Sequence, residues 1–213
     1  MGRIRKIKNA DILIQRSSWL VKKDKGVCFE HDNPLEIEIG CGKGNFLIAK
    51  SLLNPQINYL GIERDATIIL KLFNKMQRNN YLPKNLLVLH TDASNLMDWL
   101  QLNSIVTIYL NFPDPWPKKR NEKNRLTSPK FLDIYHSLLA KNGQMEFKTD
   151  NLPFFEYSLN EIKKNQGFKI SLQTNDLYND ETLMVDNIPS EYEEKFRQQG
   201  KKINKIKFVK SNK

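Results

Sequence analysis

The densest concentration of reactive side chains in this sequence is the run NFPDPWPKKRNEKNR, residues 111–125. Pro113, Pro115 and Pro117 alternate with Asp114 and Trp116, so backbone torsions are locked on both sides of a carboxylate and of a large aromatic. Side chains held in set directions can orient a reactant with little further entropy cost. Lys118, Lys119, Arg120, Lys123 and Arg125 follow at once. An acid and an aromatic beside clustered cations suit a nucleobase and its phosphates. A stiff surface loop carrying solvated charge is the plainer reading of the same residues. What separates the two is whether the loop stands at the mouth of a ligand-binding crevice.

A ligand-binding turn is written in EIGCGKGNF, residues 38–46. Gly40, Gly42 and Gly44 directly follow a strand pattern and directly precede a helix pattern, where backbone must come close to a nucleotide-like ligand. No G-x-x-x-x-G-K-[ST] pattern occurs, which excludes a P-loop. Glu63 ends the next strand pattern in GIERD, at a spacing that suits an acceptor for a ribose diol. Asp92 ends the third, in HTDAS. Ligands of open α/β sheets bind beyond the carboxyl ends of the strands, so Glu38, Glu63 and Asp92 are predicted to converge on one crevice. Asp65 and Asp92 can each also cap a helix. So many carboxylates serve a pyrophosphate poorly. They suit S-adenosylmethionine, which carries a sulfonium and an ammonium and no phosphate.

Together these motifs resemble the bacterial tRNA (guanine-N7-)-methyltransferase family, whose signatures E-I-G-x-G-x-G, G-I-E and F-P-D-P-W-P-K all occur here in order. The resemblance runs from about residue 30 to the C-terminus. It implies the Rossmann-like class I methyltransferase fold, S-adenosylmethionine as cofactor, and tRNA as partner, methylated at N7 of a guanine in the variable loop. By resemblance Glu38, Glu63, Asp92 and Asp114 fall at cofactor positions with the glycines of the turn, and Asp114 is also the catalytic candidate. Lys118 and Asp150 match substrate-contact positions, and residues 120–125 match the RNA-contact segment. The family usually has T-x-[YF]-E near its C-terminus; here the residues are Ser190, Glu191, Tyr192 and Glu193. The resemblance implies substrate contact for this segment, where serine keeps the hydroxyl, and Ser190 with Glu193 also reads as a capping box.

Three other readings compete. An amine-methylating enzyme is suggested by the similarity of NFPDPW to N-P-P-Y loops, but Phe112 and Asp114 are insertions relative to that pattern. A nicotinamide-dependent oxidoreductase needs a proton-relay Tyr or His near the crevice, and none can be placed. A non-catalytic RNA-binding protein leaves the strand-end acids without a purpose.

The elements that must position these residues alternate regularly. Strand patterns are predicted at 35–39, 58–62, 86–90, 105–110, 143–148, 168–173 and 206–210. Helical patterns are predicted at 44–53, 65–79, 93–100, 128–140, 153–166 and 190–199, with Thr127 or Ser128 as a cap, Pro129 in the first turn and an end near Gly143. Such alternation predicts an α/β fold with a mostly parallel seven-stranded sheet and helices on both faces. A length of 213 residues fits one domain, residues 1–213, with 1–25 as a basic N-terminal extension.

Mean hydropathy is −0.58 and no apolar run is long enough for a membrane span. Without a secretory signal pattern, a cytoplasmic protein is expected, as monomer or homodimer. Cys28 and Cys41 stand apart from one another, and His31, His90 and His136 lack ligand spacing, so no metal is expected. The net charge is +10. Residues 1–25, 117–130 and 201–213 carry +6, +5 and +6, which leaves −7 on the rest: a mildly acidic body with three basic segments, a layout that fits a polyanion.

Overall fold

The computed structural model describes residues 5–185 and 187–211. Seven strands form one sheet: β1 (Leu35–Ile39), β2 (Asn58–Glu63), β3 (Leu86–His90), β4 (Ile105–Asn111), β5 (Leu139–Thr149), β6 (Phe168–Thr174) and β7 (Asn204–Lys210). Their order across the sheet is β3-β2-β1-β4-β5-β7-β6. The pairs from β3 to β5 are parallel, and β7 lies antiparallel to both β5 and β6. Strand order reverses beside β1, which opens a crevice at the carboxyl ends of β1 and β4.

Alternation within LEIEI sets the two faces of β1. Ile37 and Ile39 join a core with residues of α4 (Pro129–Leu138) and α5 (Leu152–Lys164), including Leu132, Tyr135 and Phe154. The opposite face takes Glu36 and Glu38. There α2 (Asn45–Leu53) and α3 (Ala66–Arg78) build a second core around Phe46, Leu47, Ile69 and Leu72. Asp65 caps α3, its carboxylate accepting from the Thr67 amide at 2.9 Å.

The N-terminal segment contributes to this second core. A short helix, α1 (Ala10–Ile14), places Ile14 with the α3 residues. Residues 19–21 then run beside β3, with the Val21 amide donating to the Val88 carbonyl at 2.9 Å and the Val88 amide to the Trp19 carbonyl at 2.7 Å. The outer edge of β3 is thereby covered.

Several boundaries differ from the sequence pattern. The short helix predicted at 93–100 is a 3-10 helix, Ala93–Asp98, with the Asp92 carboxylate capping its start. The helix after the central loop ends at Leu138, well before Gly143, and the chain passes directly into β5. Ser128 occupies its N-cap position but uses its hydroxyl on the Lys123 carbonyl at 3.2 Å. Two short elements, a 3-10 turn at Leu177–Asn179 and α6 (Glu181–Met184), fill the aperiodic stretch before α7 (Glu191–Gln198).

The basic C-terminal stretch is partly engaged in ion pairs. Lys205 and Lys207 flank Glu146 at 2.9 and 3.0 Å, Lys201 pairs with Asp150 at 2.5 Å, and Lys202 pairs with Asp176 at 3.0 Å. Lys210 donates to the Leu139 carbonyl at 2.7 Å. Lys205 and Lys207 hold β7 in the sheet, whereas Lys201 and Lys202 keep exposed side chains in surface pairs; Lys213 lies outside the described residues.

Gly44 shows how tightly the first crossover is made. It precedes α2 with φ of 73°, and a Cβ there would stand 2.6 Å from Leu72 Cδ1 on α3. Strain and overlap act together in Gly44→Ala, which is expected to cost about 1–3 kcal/mol. Urea unfolding should show a lower midpoint with an unchanged slope.

Candidate active site at the carboxyl ends of the strands

A cleft of about 540 Å³ opens at the carboxyl edge of the parallel strands. Its walls are the glycine turn at Gly40 and Gly42, the ends of β2 and β3 at Glu63 and Asp92, the loop after β4 at Asn111, Asp114 and Trp116, and Tyr192 of α7. Gly40 and Gly42 have φ of 77° and 57°, and a Cβ at either would meet nothing closer than 4.0 Å. Their missing side chains leave room in the cleft. Gly44 faces Leu72 instead, so its role is packing.

Each strand-end acid has a different setting. Glu38 is buried beneath the cleft, with Oε1 accepting from Asn111 Nδ2 at 2.8 Å. Glu38 Oε2 and Asn111 Oδ1 are buried acceptors with no donor among the described residues. Burial pushes the Glu38 carboxyl up to about 8, against the pull of Asn111 and Lys148, and Glu63 adds to the rise. Glu63 accepts from the Asp65 amide at 2.9 Å and the Gly42 amide at 3.2 Å, which ties the end of β2 to the glycine turn. Its carboxyl is also raised by burial, with those amides opposing. At Asp92 burial acts upward, but hydrogen bonds from the Ser94 amide and hydroxyl, with the Arg64 charge, make the net shift downward. Asp92 is therefore both the cap the sequence allowed and a wall of the cleft.

The proline-rich loop is braced from behind. Phe112 and Trp116 have φ of 52° and 42°, conformations that bulky residues adopt only when their surroundings impose them. Phe112 is anchored by its amide on the Lys148 carbonyl at 2.8 Å and by its ring, which packs with Leu177, Leu183 and Ile203. It is a foundation of the loop and also borders the cleft. Trp116 is held by Arg125, whose guanidinium donates to the Pro115 carbonyl at 2.9 Å and the Trp116 carbonyl at 3.2 Å. That guanidinium also pairs with Glu122 at 3.2 Å and lies 4.2 Å from the centroid of the Tyr157 ring. Asp114, between the two anchors, is exposed.

Beyond the loop, the 3-10 turn Lys119–Asn124 displays Lys119, Arg120 and Lys123 to solvent, with Lys118 just ahead of it. Among the described residues these four side chains make no hydrogen bond or ion pair. On the other side of the cleft, Lys6 pairs with Asp65 at 2.6 Å and the Ile7 amide donates to Thr67 at 3.1 Å. The basic N-terminal segment thus runs past the start of α3.

Residues 32–206 match the family model described as "Putative methyltransferase". The tRNA (guanine-N(7)-)-methyltransferase of Mycoplasma genitalium is 45% identical over 205 residues, covering 96% of this chain and 97% of that protein. The enzyme of the same name from Mycoplasma pneumoniae is 44% identical over 211 residues, covering 99% of this chain and all of that one. The chain belongs to the tRNA (guanine-N(7)-)-methyltransferase family. The 16S rRNA methyltransferase KamB is similar in fold alone, with a TM-score of 0.64 and 13% identity over 99% of this chain and 97% of that one. The Rossmann-like class I sheet expected from the sequence is thus the one observed.

The methyltransferase brings Glu63, Asp92, Asp114 and Tyr192 to one cleft, with Glu38 directly below it through Asn111. Glu191 sits on the surface, paired with Lys43 of the glycine turn at 2.6 Å. Asp150 is paired with Lys201. Ser190 accepts from the Glu193 amide at 3.2 Å and completes the capping box of α7. The Glu193 carboxylate is fully buried and bonded to Lys148 at 2.6 Å. Two residues of this site escaped the sequence reading. Asn111 opens the NFPDPW motif, and that adjacency was its signal. Lys148 follows a buried strand pattern in MEFKT, where a lysine stands out only once its burial is known.

Glu38 makes the site sensitive to pH. Its raised pKa means that the folded protein holds a proton the unfolded chain has released, so the stabilisation is complete below the ordinary value of 4.5 and is lost as pH rises through about 8. Glu38→Gln removes this dependence. Across that range the unliganded wild type should lose a few kcal/mol of unfolding free energy relative to Glu38→Gln, measured by denaturant titration at each pH.

Proposed function

We propose that this methyltransferase moves a methyl group from S-adenosylmethionine to N7 of a guanine in the variable loop of tRNA. The single observation that carries the cofactor half is the pair of orphaned buried acceptors, Glu38 Oε2 and Asn111 Oδ1, below the glycine turn. A ligand ammonium supplies the donors they lack. Gly40 and Gly42 leave space above them, and Glu63 offers acceptor capacity for a diol. S-adenosylmethionine contributes, when bound, a methyl group on a positively charged sulfur.

N7 of guanine carries a lone pair and no proton. The chain's own residues therefore need to position the base and favour developing positive charge, and no general base is required for the nucleophile. Asp114 fits that role, being an exposed carboxylate on a loop stiffened by three prolines at the rim of the cleft. Trp116 offers a face for stacking. Lys118, Lys119, Arg120 and Lys123, free of partners among the described residues, fit phosphates, whereas Arg125 acts as a brace of the loop. Tyr192 fits the opposite wall; burial and the carboxylates of Glu191, Asp114 and Glu63 push its phenol up, which keeps it a hydrogen-bond donor. The names of the relatives from both mycoplasmas support the tRNA half of the reading.

The direct experiment is incubation of unmodified tRNA with labelled S-adenosylmethionine, followed by strand cleavage selective for 7-methylguanine. Label at an exocyclic amine would overturn the N7 assignment. Asp114→Asn preserves shape and removes charge; single-turnover methylation should fall roughly 10²–10³-fold while the protein stays folded. Near-wild-type turnover would remove Asp114 from the chemistry.

The braces and the exposed cations should separate in a salt titration of tRNA binding. Replacing Lys118 and Lys119 by Gln is expected to flatten the log–log salt slope by about 0.7–0.9 per lost phosphate contact. Arg125→Lys should leave that slope near wild type yet lower the methylation rate, because an ammonium cannot hold two carbonyls in fork geometry.

A further inference from the structure

Lys148 is a buried cation in the polar row at the strand ends, and two buried carboxylates lie within its influence. β1, β4 and β5 run side by side, and Asn111 of β4 stands opposite Lys148 of β5 while its amide reaches Glu38 of β1. The Lys148 side chain is 2% exposed, with its ammonium 5.5 Å from the centroid of the Phe46 ring. It donates to Glu193 Oε2 at 2.6 Å, and to Asn187 Oδ1 and the Ile188 carbonyl at 3.2 Å each. Glu193 Oε1 accepts from Asn187 Nδ2 at 2.7 Å and from the Tyr178 hydroxyl at 3.0 Å. On the other side is Glu38, whose Oε2 has no donor among the described residues and whose charged form the Lys148 field favours.

A buried ammonium is costly without a counter-ion, and the flexible four-carbon stem of lysine lets it seek one. With Glu193 in place, Lys148 is satisfied at the α7 side. Without it, Glu38 is the acid left in the polar row, and an ammonium settling beside it would draw off its proton and hold it ionised. An ammonium settled on Glu38 Oε2 would fill the acceptor that the cofactor reading assigns to the ligand. Like charges would then meet wherever a second ammonium entered.

We propose that Glu193 is a built-in counter-ion that draws Lys148 away from Glu38 and so reserves Glu38 Oε2 for the ammonium group of the methyl donor. Both are positioning residues, and neither touches cofactor or RNA. The proposal rests on the S-adenosylmethionine reading above and deepens it. It stands against the substrate-contact reading of the segment Ser190 to Glu193. The same ion pair fastens residues 187–193, and with them Tyr192, to the end of β5. Seating of that wall and availability of the cofactor acceptor are therefore coupled in one interaction.

The test is calorimetric binding of S-adenosylmethionine to the wild type, Glu193→Gln, Lys148→Met and the double variant, each checked for folding by circular dichroism. Glu193→Gln should bind roughly tenfold to a hundredfold more weakly, the range set by one charge-assisted hydrogen bond. Adding Lys148→Met should restore affinity to within about threefold of wild type, since no cation then competes; replacement of a buried ion pair by neutral groups is often tolerated by the fold. Wild-type affinity in Glu193→Gln, joined to weaker tRNA binding, would return Glu193 to substrate contact and overturn the proposal. A double variant as weak as Glu193→Gln would overturn it too, because the loss would then come from packing. Should Glu193→Gln not fold, Lys148→Met alone decides: near-wild-type affinity supports the proposal, and a tenfold loss overturns it. A wild type that binds no S-adenosylmethionine would overturn the cofactor reading itself, a result distinct from one in which it binds and the variants match it.

Discussion

Parallel pairing of β1 with β2 and β4, and of β4 with β5, is the constraint on which the rest of the molecule depends. Parallel strands deliver their carboxyl ends to one edge, so residues distant in sequence meet there through register alone. The glycine turn, Glu63, Asn111 and Lys148 arrive together in this way. The alternation within β1 then fixes which face each acid takes, and Glu38 is driven into the interior because Ile37 and Ile39 must face α4 and α5. Its buried carboxylate, short of one donor, follows from where the strand has to lie. On the proposed reading a cationic ligand relieves the deficit that folding creates there.

The same reasoning sorts the cations. Composition gives a net +10 but does not say which lysines are available. In β7 they alternate with Ile206 and Phe208, residues of the core, so Lys205 and Lys207 point together at Glu146 and serve the sheet. In the central loop no such alternation exists, and Lys118, Lys119, Arg120 and Lys123 stay in solvent. Exposed cations without a partner among the described residues thus stand at the rim of the cleft at Lys118, Lys119, Arg120 and Lys123, while Lys205 and Lys207 are neutralised by Glu146. Charge patterning reports partners only after burial has removed the structural ions.

Much of the fold was legible because period and punctuation agree locally: the strand patterns, the Gly and Asp boundaries and the Pro129 start all lie near the observed elements. The motif acids were legible for a related reason, since each lies at or just past the carboxyl end of a strand, and a strand end has a fixed place in this topology. What escaped reading depends on tertiary partners. Nothing near Arg125 in sequence announces that its guanidinium turns back to the Pro115 and Trp116 carbonyls, because that geometry arises only when the 3-10 turn folds over Tyr157. Nor does MEFKT reveal that Lys148 finds Glu193, which is 45 residues away. The short α1 was missed because five residues cannot show a helical period.

Stiffness and charge divide the labour around the cleft. Positive φ at Phe112 and Trp116 stores strain that costs on the order of 1–3 kcal/mol per residue, and it persists because the Phe112 ring, the Lys148 carbonyl and the Arg125 fork oppose it. A loop under such restraint has little freedom left, and on the proposed reading it contributes to rate by holding Asp114 in place. The solvated lysines just beyond are the reverse: long, flexible side chains in water, they gain affinity for a polyanion wherever its phosphates fall, and they impose little geometry. A base must be placed to within a fraction of an ångström for transfer, while a backbone of phosphates need only be attracted. Rigid carboxylate and loose cations, set side by side in one 15-residue run, meet those two demands with different physics.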